Sequence, residues 1–198
     1  MRARPAETKP YNSALKGEVW PGRELLIDTS FAETSRGMVF AYNICEPMHA
    51  ELIAHIGLRS QCLYCEIPWP AAGETFYRRA GVTPEAHAVY VAAVKAMLER
   101  FQKPAFIVGS KRDAVALSDQ AIRLVGLNGR PAWLAISRTE ARVPEARSTG
   151  ELLAHLASVY GAVYDFGCGY GASLRPFTYF IGSDIDRKCL AYVAREIL

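Results

Sequence analysis

The sequence predicts an α/β domain with a mainly parallel sheet and one antiparallel hairpin. Three observations carry this. Strand-like and helix-like segments alternate along most of the chain, which is the pattern of βα units. The segment "KPAFIVGS" is short and wholly apolar, as a strand buried on both faces of a parallel sheet has to be. Asn128-Gly129 sits between two apolar runs, and a type I′ turn needs positive φ at both central residues, so a hairpin is expected there.

The elements follow in order. Residues 1–20 read as an irregular arm punctuated by Pro5 and Pro10, and "RELLIDTS" as a short strand. "GMVFAYNI" is a β-rich run ended by "CEP". "EPMHAELIAHIGL" reads as a helix with Pro47 near its first turn. "QCLYCEIPWP" is a strand running into two prolines around Trp69. "TPEAHAVYVAAVKAMLERF" is a longer helix, with Thr83 as N-cap and Pro84 at the first helical position. After the apolar strand come a brief helix, "RDAVALSDQ", and the hairpin strands "IRLVGL" and "PAWLAIS". "STGELLAHLASVYG" is an amphipathic helix capped by Ser148 or Thr149. Strand "AVYDFG", a glycine loop, strand "TYFIGSD" and helix "RKCLAYVAREIL" close the chain. With no repeat and no linker, residues 1–198 read as one domain.

Composition narrows the function classes. At 51% hydrophobic and 22% charged residues the chain is an ordinary globular protein rather than a disordered one. No apolar run approaches the roughly 20 residues of a membrane span, and "MRARPAETKPYN" leads into no apolar stretch, so a cytoplasmic protein without a membrane partner is expected. The net charge of +3 permits a nucleic-acid partner without demanding one. Arg2, Arg4, Lys9 and Lys16 read as a solvated tail, and Arg78 and Arg79 as solvated loop residues that could reach a phosphate. Cys62 and Cys65 form a C-x-x-C pair, but residues three apart on a strand face opposite sides. No further ligands complete a four-ligand zinc site, so no metal is expected. His49, His55, His87 and His155 fall on helices and build no site.

The chemistry gathers near the carboxyl terminus. In "VYDFGCGYG", Asp165 ends a strand, and Gly167, Gly169 and Gly171 permit turns and close approach of the backbone to a ligand. The next strand ends in "GSDID", which puts Asp184 at the carboxyl edge of the sheet, where ligands bind in open α/β folds. A carboxylate there can accept both hydroxyls of a ribose. The glycines nearly meet the dinucleotide pattern as Gly167-x-Gly169-x-x-Ala172. Two features speak against a pyrophosphate: Asp165 would repel it while suiting an ammonium or sulfonium group, and only about "ASLRP" separates Gly171 from the next strand, leaving little helix to receive it.

These segments resemble the class I S-adenosylmethionine-dependent methyltransferases. "VYDFGCGYG" is similar to their first motif and "FIGSDID" to their second-strand motif. The resemblance implies a Rossmann-like seven-stranded sheet with helices on both faces, its last two strands forming a hairpin beside the fifth. It covers roughly residues 37–198. Here the hairpin precedes the glycine loop, so the strand order looks circularly permuted, as in DNA and RNA amino-methyltransferases whose catalytic motif precedes the cofactor loop. The cofactor implied is S-adenosylmethionine, contacted by Asp165, Phe166, Gly167, Cys168, Gly169, Gly171, Asp184 and Ile185. The stretch "EIPW" then stands where those enzymes carry an acid or amide, two prolines and an aromatic. Glu66 becomes the acceptor for an exocyclic amino group, Pro68 the backbone anchor and Trp69 the stacking platform. Glu replaces a shorter residue and Ile67 the first proline.

The expected activity is methyl transfer to a base amine, adenine N6 or cytosine N4, with DNA favoured over RNA. A methyltransferase of a small molecule or protein, and a degenerate non-catalytic binding protein of the same fold, are the alternatives. A homodimer or a partner subunit that holds substrate is compatible with so small a chain.

Overall fold

The computed structural model describes residues 9–10, 30–42, 50–67, 86–118, 121–126, 129–137, 145–184 and 186–198. The strands are β1 (Lys9–Pro10), β2 (Ser30–Thr34), β3 (Gly37–Ala41), β4 (Cys62–Glu66), β5 (Ala105–Gly109), β6 (Ala121–Val125), β7 (Pro131–Ser137), β8 (Ala162–Phe166) and β9 (Tyr179–Asp184). The helices are α1 (Ala50–Arg59), α2 (Ala86–Arg100), α3 (Lys111–Leu117), α4 (Thr149–Val159) and α5 (Arg187–Glu196).

Among the described residues nine strands form one sheet in the order β1-β2-β3-β9-β8-β4-β5-β7-β6. Strands β3, β9, β8, β4 and β5 run parallel, and β7 joins antiparallel to β5 and to β6. The last two strands of the chain therefore lie in the middle of the sheet. The seven strands from β3 to β6 are those expected from the sequence.

The other two correct the expectation of a seven-stranded sheet. β2 turns back from β3 through Ser35 and Arg36 and pairs with it antiparallel, and Lys9 and Pro10 pair with Phe31 and Ser30. Residues 9–10, within the stretch read as irregular, thus make a short strand. Pro10 lacks an N–H to donate and is tolerated because the strand is an outermost edge. Most of "RELLIDTS" lies outside the described residues, and β2 begins at its last residue. The Thr83 cap also lies outside them.

Strand alternation sends side chains to two cores. On one face Leu63, Cys65, Tyr164, Phe166 and Ile181 pack beneath α1, α2 and α3. On the other Cys62, Tyr64, Val163 and Phe180 pack beneath α4 and α5. β3 and β5 are buried along their whole lengths, which explains their uninterrupted apolar sequences. The C-x-x-C pair is split between the two cores, as strand geometry requires. Burial pushes the Cys62 thiol up to about 12 and raises Cys65 further, so neither is poised for redox or metal chemistry. Among the described residues no helix is long and apolar enough to cross a membrane.

Helix ends follow local chemistry. Ser148 caps α4, its Oγ accepting the Glu151 N–H at 3.2 Å, and Asp186 caps α5, its Oδ1 accepting the Lys188 N–H at 2.8 Å. The β6–β7 hairpin turns with Gly129 at φ +75°, the positive value its sequence demands; Asn128 lies outside the described residues.

Candidate active site

Three adjacent central strands end in acids: β9 in Asp184, β8 one residue after Asp165, and β4 in Glu66. In a strand, residues two apart share a face. Asp184 lies on the side of Phe180, Asp165 on that of Val163 and Glu66 on that of Tyr64, all residues of the core under α4 and α5. The parallel register sets Tyr64 beside Asp165 and Asp165 beside Gly182, so the three carboxylates converge at the carboxyl edge of one face.

The glycine loop is stitched to β9. The N–H groups of Gly167 and Cys168 both donate to the Ser183 carbonyl, at 2.8 and 2.9 Å. Gly169 N–H donates to Asp184 Oδ2 at 2.8 Å, and Gly171 N–H to the Cys168 carbonyl at 2.9 Å. Asp184 Oδ1 accepts the Asp186 N–H, also at 2.8 Å. With these four loop amides engaged inside the fold, the loop does not present the fan of free N–H groups that cradles a pyrophosphate. This agrees with the sequence-based argument against a dinucleotide.

Loop conformation depends on glycine for two different reasons. Gly167, Gly169 and Gly171 adopt φ of +82°, +51° and +70°. A Cβ on Gly171 would lie 2.7 Å from Ile197 Cδ1 and 2.9 Å from Val193 Cγ2, so the loop presses onto α5 and its C-cap. A Cβ on Gly169 would meet nothing within 4 Å, so this residue borders open space. Its freedom serves the turn rather than packing.

Asp165 is 1% exposed. Burial, and to a lesser degree the charges of Glu66 and Asp184, push its carboxyl up to about 8, while a hydrogen bond donated by Ser173 Oγ works the other way. Burial likewise raises Glu66, against a smaller lowering by the Tyr64 hydroxyl beside it. A cluster of three acids this close cannot all ionise cheaply, and a cation among them would relieve the repulsion. Asp184 accepts the Gly169 N–H on one oxygen and the Asp186 N–H on the other, and a carboxylate offers about four acceptor positions, the geometry that also suits hydroxyl donors. The donor set therefore fits a ligand with an ammonium or sulfonium group and a ribose.

The other sequence-picked residues divide. Phe166 turns to the opposite face, stacked on Tyr90 with ring centroids 5.9 Å apart. The side chain of Cys168 packs inward against Gly182, its thiol raised by burial, leaving only its backbone in the loop. Pro68, Trp69 and Ile185, with Arg78, Arg79 and His49, lie outside the described residues.

Three features escaped the sequence reading. Ser173, in the connection after the loop, holds Asp165. Tyr90, on α2, supports the loop from beneath: its hydroxyl lies 3.2 Å from Cys65 Sγ and donates to the Phe166 carbonyl at 3.5 Å. His87 meets the buried Asp113 at 3.2 Å beyond the end of β5, and Ser110 Oγ donates to the same carboxylate at 2.6 Å. No spacing rule marks any of these as site residues.

No family model matches the chain, and no curated protein does. Among solved structures it is similar to the crystal structure of M1.HpyAVI, at 14% identity and a TM-score of 0.43, covering 81% of this chain and 100% of that one. It is also similar to the crystal structure of the M1.HpyAVI-SAM complex, at 15% identity and a TM-score of 0.40, with coverage of 81% and 100%. The fold assignment rests on the strand order itself. The sheet from β3 to β6, with its terminal hairpin beside β5, is the arrangement that the class I methyltransferase resemblance implies.

Proposed function

We propose that the chain binds S-adenosylmethionine and transfers its methyl group to an exocyclic amino nitrogen of a nucleic-acid base, with DNA favoured. The observation that carries the reading is the convergence of Asp184, Asp165 and Glu66 at the ends of three neighbouring strands, with the glycine loop between two of them. When bound, S-adenosylmethionine would supply an electrophilic methyl, the electron pair of the S–CH₃ bond staying on sulfur as the amine lone pair makes the N–CH₃ bond. Asp184 would hold the ribose hydroxyls. Asp165 would face the cationic end, and Glu66 would accept a hydrogen bond from the target amine and receive or relay the proton it sheds. Pro68 and Trp69, by their place after Glu66, would fix the backbone and stack on a base that has left its helix.

The test is calorimetric titration of S-adenosylmethionine into the wild type, Asp184→Ala and Asp184→Asn, followed by transfer of labelled methyl to DNA oligonucleotides by wild type and Glu66→Gln. Binding that falls at least tenfold in both Asp184 variants, and transfer abolished by Glu66→Gln with binding retained, are expected. A wild type that binds neither S-adenosylmethionine nor S-adenosylhomocysteine at millimolar concentration refutes the reading.

A further inference from the structure

A second polar feature lies on the same edge of the sheet. Because β7 is antiparallel to both β5 and β6, β6 runs parallel to the central strands, and its end at Val125 points the same way as Glu66 and Asp165. There a cavity of about 330 Å³ opens, bounded by Arg123, Leu124, the turn residue Gly129, Pro131, Ala146 and Arg147.

The cavity is built by a specific junction. The Val125 N–H donates to the Arg147 carbonyl at 2.9 Å and Thr149 Oγ1 donates to the Val125 carbonyl at 3.3 Å, tying the start of α4 to the end of β6. This brings Arg123 and Arg147, 24 positions apart in the chain, to one concave surface. Both are exposed, and neither guanidinium has an ion-pair partner among the described residues. Among the described residues no acid lines the cavity. Glu151, the nearest carboxylate on α4, is turned to the Arg147 backbone N–H at 2.8 Å, and Glu145 lies two residues before Arg147.

We propose that this cavity is a phosphate-docking site for the nucleic-acid chain, using the two guanidinium groups as bidentate donors to backbone phosphate. The inference rests on the preceding reading in taking nucleic acid as substrate. Three strand spacings of about 4.8 Å separate β6 from β4, so the cavity stands about 14 Å from Glu66 along the edge. That is the axial span of about four base steps at about 3.4 Å per step. A strand laid along the carboxyl edge, with its target base at Glu66, has backbone phosphates in reach of Arg123 and Arg147.

The test uses the full chain and fluorescein-labelled oligonucleotides, single-stranded and duplex, with anisotropy read between 50 and 200 mM salt. Variants are Arg123→Ala, Arg147→Ala and the pair, with S-adenosylmethionine titration of each as a separate readout. The double variant is expected to lose about tenfold or more in oligonucleotide affinity, with its slope of log affinity against log salt reduced by about 1 to 2, and to bind S-adenosylmethionine as the wild type does. An unchanged affinity and slope overturns the proposal, as does a wild type that binds no oligonucleotide. A mononucleotide that competes as well as a ten-nucleotide strand also overturns it, assigning the cavity to free phosphate. Arginine-dependent oligonucleotide binding in a protein that fails to bind S-adenosylmethionine upholds the docking site while refuting the methyltransferase reading.

Discussion

Alanine at Gly171 and alanine at Gly169 separate two uses of one loop. Both residues sit in the left-handed region, at φ +70° and +51°. A Cβ in that region costs roughly 1–2 kcal/mol. At Gly169 nothing more is added, because no atom lies within 4 Å of the new methyl. At Gly171 the methyl meets Val193 Cγ2 at 2.9 Å, and Val193 is a fully buried, β-branched residue of α5 that cannot swing aside. Overpacking of this kind adds about 1–3 kcal/mol. The totals are about 1–2 kcal/mol for Gly169→Ala and about 2–5 kcal/mol for Gly171→Ala. With a urea m-value of about 2 kcal/mol/M, the midpoints should fall by about 0.5–1 M and about 1–2.5 M respectively. S-adenosylmethionine titration should rank the two oppositely when each is measured below its transition. The Gly169 methyl projects into the space a ligand would use, whereas the Gly171 methyl points at α5. Equal midpoint losses would refute the claim that packing onto α5 distinguishes the two glycines.

Two further outcomes follow from the site's polar groups. Asp165 keeps its proton up to about pH 8 in the folded chain, whereas the unfolded chain ionises near the ordinary 3.8. The native state therefore binds more protons between those limits. The contribution is complete below about 3.8, declines by about 1.4 kcal/mol per pH unit across the window, and is gone above about 8. Asp165→Asn should remove that slope, so that urea midpoints of variant and wild type converge or cross between pH 5 and pH 8; parallel profiles would sink the assignment. Tyr90→Phe removes the hydroxyl that reaches Cys65 and the Phe166 carbonyl. It should cost about 1 kcal/mol in denaturant melts and raise amide hydrogen exchange at Gly167 and Cys168; unchanged exchange would show that the hydroxyl does not brace the loop.

Periodicity and turn chemistry read the architecture well because both are local. The buried strand "AFIVG", the Asn128-Gly129 hairpin and the Ser148 cap each express a requirement met within a few residues. The loop acids were legible because their positions at strand ends follow from the same patterns. Lys9–Pro10 was not legible as a strand: its pairing comes from β2 and from nothing in its own side chains. Tyr90 reads as one apolar position of a helix, yet it reaches a carbonyl 76 residues away. Ser173 and the Arg123–Arg147 pair likewise gain their roles only from tertiary proximity, which spacing does not encode. Phe166 neighbours the loop in sequence, but strand alternation turns its side chain to the other face.

The engagement of Asp184 by Gly169 and Asp186 bears on how any ligand enters. The loop already holds an anion, its own, and Asp184 is only 1% exposed. Under the proposed reading, ribose hydroxyls would meet a carboxylate that already organises the loop, so ligand binding and loop conformation would share one side chain. On that reading a substitution at Asp184 would weaken the ribose contact and the loop's own anchor together, which is why the expected loss of binding is at least tenfold. Any rearrangement of the 167–171 loop would then be coupled to filling of the site through that one carboxylate.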